Sequence, residues 1–126
     1  MNASTAALVF GVLTVIVILF QAGLAAGMPW GKASMGGKFP GKYPPKMRVV
    51  ACVNIIVLLG MSLIVLSAAG LFLPGMQALS KKAVWVVVVF YLAGTVMNTI
   101  TPSKIERIWA PVALLLFIMS LVVALC

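Results

Sequence analysis

The sequence predicts an all-α membrane protein: a four-transmembrane-helix bundle with a Gly/Pro-rich basic cytoplasmic loop between helices 1 and 2. Three observations predict it. Hydrophobic residues make up 64% of the 126 and charged residues only 8%, against about 45–50% and about 25% in soluble domains. Four apolar runs are each long enough to cross a hydrocarbon core of about 30 Å. The charges sit in the connections between those runs instead of being spread over a surface. A chain of 126 residues makes a single domain.

The first helix is expected at about 6–26. Its small residues from Ala22 to Gly27 resemble a signal-peptide cleavage region. The segment before it carries no Lys or Arg, and the apolar part exceeds the usual length of about 7–15 residues, so a retained helix is expected. Gly23 and Gly27 form a G-x-x-x-G, a spacing that lets another helix approach closely. Four helices are few to enclose a pathway, so a homodimer through this face, or a higher homo-oligomer, is expected. The second helix is expected at about 48–73, with Pro45 at its start and Leu73-Pro74-Gly75 as its stop signal. Gly60, Ser62, Ser67 and Gly70 make part of it narrow.

The third helix is expected at about 83–100, with Ser80 as a cap. The fourth is expected at about 104–125. Ser103 and Glu106 form the S-x-x-E of a capping box at its start, though Pro102 would also suit the first helical position. Pro111 should bend or loosen its first turns, which membrane helices tolerate.

Orientation follows from the Lys and Arg count. The first connection holds five (32, 38, 42, 46, 48) and the third two (104, 107), so one side carries seven. The second connection holds Lys81 and Lys82. The positive-inside rule then places the first and third connections in the cytoplasm and both termini outside. The net charge of +8 reads as topology, with anionic lipid and not nucleic acid as the natural partner.

The stretch from Gly27 to Arg48 stands apart. It holds five of the 11 Gly, four of the seven Pro and five of the nine cationic residues. Trp30, Met35, Phe39 and Tyr43 are interleaved with them, which a mere tether would not need; a closely packed or re-entrant loop is expected. Gly36-Gly37 allow backbone N–H groups to turn toward an anion. The loop has neither the P-loop order nor a strand before it, as a dinucleotide fingerprint requires.

Counting depth with this topology places three carboxamides in the cytosolic half. Gln21 lies about five residues, or roughly 7–8 Å, above the inner end of helix 1. Asn54 lies as far above Arg48, and Asn98 sits near the inner end of helix 3. Unpaired amides are costly in lipid, so they should face the bundle interior. Two readings stay open: amides bonded to one another as structural glue, or a polar pocket roofed by the loop. The candidate ligand-binding set is Gln21, Asn54, Asn98, Arg48, Gly36 and Gly37. Glu106, the one acidic side chain, is expected to pair with Arg48 and link helices 2 and 4.

The inventory also excludes chemistry. With no His and a single carboxylate side chain, one chain has no paired-carboxylate acid/base site and no triad base. Cys52, Cys126 and Glu106 are too few to ligate zinc or iron. No catalytic residue, metal or cofactor is expected, and the chain is not expected to be an enzyme. The two Cys should lie near opposite membrane faces, too far apart for a disulfide.

The order Gly27-x-Pro29-x-Gly31, Gly36-Gly37, Pro44-x-x-x-Arg48, Asn98, Ser103, Glu106-Arg107 and Pro111 resembles a family of small four-helix bacterial integral membrane proteins of uncharacterised function. The resemblance covers nearly the whole chain and implies the bacterial inner membrane, with no named activity. That family favours Ser-Arg-Ser before the Glu-Arg, where this chain has Thr101-Pro102-Ser103. Small multidrug transporters differ in carrying a membrane-embedded carboxylate in the first helix, and no span here has one. The functional expectation is a cytosol-facing pocket that binds or transports a small solute or an anionic lipid headgroup. The alternative is an accessory subunit whose basic loop docks a partner or anionic lipid.

Overall fold

The computed structural model describes residues 1–126 and is all-helical. Its four long helices are α1 (Ala3–Ala26), α2 (Pro45–Ala68), α3 (Gln77–Ile100) and α4 (Trp109–Leu125). Each lies in a segment long and apolar enough to cross a membrane, so the chain is built as a multi-pass membrane protein. A helix satisfies its own backbone hydrogen bonds, which lipid cannot do for it. Only 22–28% of each apolar window is buried inside the bundle. The remainder presents Leu, Ile, Val and Phe side chains outward, where a hydrocarbon solvent suits them.

The helices run up and down around a closed ring, α1 against α2, α2 against α3, α3 against α4 and α4 back against α1. Their main core fills one half of the bundle. Phe10, Leu58, Met61, Val65, Val84, Val87, Tyr91, Leu116 and Met119 belong to it. Phe10 and Tyr91 meet edge to face with ring centroids 5.5 Å apart, a favoured aromatic geometry. A second, smaller cluster of Leu24, Tyr43, Met47 and Ala51 ties the loop to α1 and α2 at the other end.

The helix ends correct several expectations. Helix 2 stops at Ala68, five residues early. Gly70, at φ 79°, ends it in a Schellman motif: its N–H donates to Ser67 O, and Leu71 N–H donates to Leu66 O. Gly70 is therefore a terminator, not part of a narrow helical face. Helix 3 begins at Gln77, after a 3₁₀ turn over Pro74–Met76. Ser80 is consequently a buried interior residue and not a cap. The fourth α-helix starts at Trp109, preceded by a 3₁₀ turn over Glu106–Ile108. Pro111 then falls in its first turn, where the missing N–H would have had no helical partner anyway.

Helix α1 ends in the same Schellman geometry at Gly27, φ 93°. Its G-x-x-x-G is used within the chain. A Cβ on Gly23 would overlap the Trp30 ring, and one on Gly27 would lie 2.8 Å from Lys42 Cε. The small-residue face expected to receive a second copy is filled by the loop. Cys52 and Cys126 are both free and exposed.

Candidate functional site

The 27–44 loop is held by its own backbone and by polar side chains. Gly31 N–H donates to Gly41 O at 2.8 Å, closing the loop across its base. Ser34 hydroxyl donates to Gly31 O, so the short bond between Ser34 and Tyr43 has the Tyr43 hydroxyl as donor. Trp30 stacks on Phe20 of α1 with centroids 6.2 Å apart, and Trp109 of α4 lies 4.7 Å from the same ring.

Met35, Gly36 and Gly37 are three successive residues with positive φ (50°, 68° and 76°). Such a turn points backbone N–H groups toward an anion. The anion it meets is internal. Gly36 N–H donates to both oxygens of Glu106, 3.1 Å to Oε1 and 3.3 Å to Oε2, and Thr101 hydroxyl also donates to Oε1. Ser103 makes a second link, donating its hydroxyl to Lys32 O. It also accepts from Glu106 N–H at 3.4 Å, so half of the expected capping box forms. The other half does not, because the Glu106 carboxylate is engaged by the loop.

The expected Arg48–Glu106 ion pair is therefore corrected. The hydrogen-bond partners of Glu106 are the neutral Gly36 and Thr101 donors. Arg48 donates Nε–H to Ala25 O at 2.7 Å, satisfying a carbonyl at the C-terminus of α1, where positive charge also suits the helix dipole. The two residues act on different joints. Arg48→Met and Glu106→Gln are expected to destabilise independently. The double mutant should equal the sum within about 0.5 kcal/mol, measured by thermal unfolding in detergent; a larger coupling would restore the pair.

Gln21, Asn54 and Asn98 do come together. They line one cavity of about 310 Å³, along with Glu106, Tyr91 and Trp109, and the loop residues Ser34, Met35 and Tyr43 also border it. Asn54 Nδ2 donates to Gln21 Oε1 at 3.4 Å, and Asn98 Nδ2 donates to Gly94 O of its own helix at 2.7 Å. The amides thus use only part of their capacity on one another. Tyr91 and Trp109 bury their polar atoms, Oη and Nε1, inside the wall and not at the open space, with the Thr14 hydroxyl beside Tyr91 Oη. Leu58, Leu116 and Tyr91 belong both to the cavity wall and to the main core, so tightly packed apolar side chains close the cavity toward the far end.

Arg48 and Gly37 are not among the cavity-lining residues, and Gly36 reaches the site only through Glu106. Sequence reasoning missed Thr101, Tyr91 and Trp109. Thr101 carried no signal beyond its place before a proline. Trp109 reads first as a membrane-interface residue. Tyr91, a lone phenol in a run of Val and Phe, was the legible one, since a buried hydroxyl requires a partner.

Comparison with known proteins adds nothing to this geometry: no family model, no curated protein and no solved structure matches the chain. What the fold defines is a class, a four-helix multi-pass membrane protein. The functional reading rests on the cavity itself.

Proposed function

We propose that this protein binds a small polar solute in the cavity between its four helices and is not an enzyme. The charge bias supports a loop end in the cytosol with both termini outside, and the resemblance supports the bacterial inner membrane as its location. The observation that carries the reading is the convergence of three carboxamides, from three different helices, with the only carboxylate side chain on one cavity. Structural glue alone would consume the amides in mutual bonds. Only one such bond joins them, at the long distance of 3.4 Å. The packed core beyond Tyr91 favours a pocket reached from one face over a continuous channel. Binding from one face is compatible with uptake, export or sensing.

A second reading has one observation in its favour. Lys32, Lys38, Lys42 and Lys46 are all exposed, so the loop keeps its cations available to anionic lipid or an acidic partner.

The cavity reading is tested with the purified protein in detergent, screened against small polar solutes by thermal shift. Solutes that stabilise the wild type are expected to lose their effect on Asn54→Leu and Asn98→Leu, while both unliganded variants melt near the wild type. Stabilisation that survives both substitutions would show that binding lies elsewhere.

A further inference from the structure

The structure assigns a chemical class to the solute: we infer that the cavity takes a small organic cation bearing N–H donors, a protonated amine. This rests on the cavity being a binding site, as proposed above.

The first ground is charge. The chain carries nine Lys and Arg and one acidic side chain. That one acid is on the cavity wall, and its hydrogen-bond partners are a backbone amide and a hydroxyl. Those donors carry no formal charge, so they do not neutralise the carboxylate as a Lys or Arg partner would. A protein with cations to spare has left its one acidic side chain without an ion-pair partner on the wall of this cavity. Arg107, the cation next in sequence, directs its Nε–H to Thr101 O instead.

The second ground is the free hydrogen-bonding inventory. Glu106 Oε1 accepts two bonds, whereas Oε2 has only the longer arm from Gly36. Asn98 uses its nitrogen on Gly94, which leaves Oδ1 without a donor, and Asn54 likewise uses its nitrogen on Gln21. Glu106 Oε2, Asn98 Oδ1 and Asn54 Oδ1 are the open acceptors of the cavity residues, and an ammonium group supplies up to three donors. Gln21 accepts through Oε1 and keeps its Nε2 donors free, which suits a ligand that also carries a hydroxyl. The aromatic rings of Phe20, Phe90 and Trp109 on the wall add faces that attract cations.

The anionic alternative meets the opposite situation. The left-handed turn that would cradle an anion already holds Glu106, and an anion in the cavity would face that carboxylate.

The test is an isosteric series on the full chain in nanodiscs, followed by calorimetry and tryptophan fluorescence. The probes are 4-amino-1-butanol (protonated at neutral pH), 1,4-butanediol (neutral) and 4-hydroxybutyrate (anionic). The amine is expected to bind saturably, at least tenfold tighter than the diol, with no binding of the acid. Glu106→Gln should erase the amine's preference over the diol, reducing the ratio to near one. Trp109→Phe, which keeps an aromatic ring on the cavity wall, should preserve the amine's preference and remove most of the fluorescence change. Equal binding of amine and diol in the wild type, abolished by Asn98→Leu, would overturn the charge assignment and leave the cavity reading standing. Tighter binding of the acid would overturn the assignment outright. Binding of the amine that is unaltered by Glu106→Gln, Asn54→Leu and Asn98→Leu alike would overturn both.

Discussion

Gly31→Ala is expected to unseat the 27–44 loop, the largest effect of any single-methyl change in this chain. The obstacle is space, not backbone conformation, because Gly31 is not among the glycines with positive φ. A Cβ there would overlap Phe39 O and lie 2.7 Å from Gly41 O. Both are backbone atoms, and Gly41 O is the acceptor of Gly31's own N–H. No rotamer change can relieve the overlap, so the strand of loop around residues 39–41 has to move away. That breaks the bond across the loop base and loosens Phe39 and Tyr43 from the small cluster that anchors them. Overpacking of this kind costs about 1–3 kcal/mol, and a backbone obstacle belongs at the upper end. Gly60→Ala is the matched control. Gly60 lies in α2, exposed, with no atom within 4 Å of an added Cβ. Alanine there should be neutral or stabilising by up to about 1 kcal/mol. Thermal unfolding of the two variants side by side decides the matter; equal melting would mean that the loop contributes nothing to the bundle.

Glu106→Leu should open the same loop from the other side. It leaves Gly36 N–H and the Thr101 hydroxyl without their acceptor, at about 1–3 kcal/mol for each buried donor left unsatisfied. Glu106→Gln keeps one carbonyl oxygen for Gly36 and should fall between leucine and the wild type. Trypsin provides a local readout, since Lys32, Lys38 and Lys42 are exposed within the loop. Cleavage there should accelerate in the order wild type, Gln, Leu, and a Leu variant as resistant as the wild type would remove the latch from the account.

The spans were legible because their signal is redundant: each helix repeats its apolar character over about 20 residues, and no single position matters. Depth counting located Gln21, Asn54 and Asn98 at one cavity for a related reason, since helical rise fixes height whatever the packing. The helix ends were less legible. Gly70 and Gly60 look alike in sequence, and only the chain's path makes one a left-handed terminator and the other a plain helical position. The partner of Glu106 was illegible on principle. Opposite charge named Arg48, but backbone amides carry no letter in a sequence, and the Gly36 N–H that won is one of them. The role of Gly23 was hidden likewise, because nothing local says that Trp30, seven positions on, folds back over it.

The latch between Gly36 and Glu106 joins residues 70 apart in the chain. During synthesis the loop leaves the ribosome well before its acceptor does. Three helices can be threaded into the bilayer while the left-handed turn still faces water. Only when the third connection emerges does the loop gain its bonds to Glu106 and Ser103. A chain interrupted before residue 106 would thus carry the loop without that latch, its lysines exposed on a more mobile backbone than in the finished protein. The same carboxylate that marks the cavity thus ties the first connection to the third across most of the chain's synthesis.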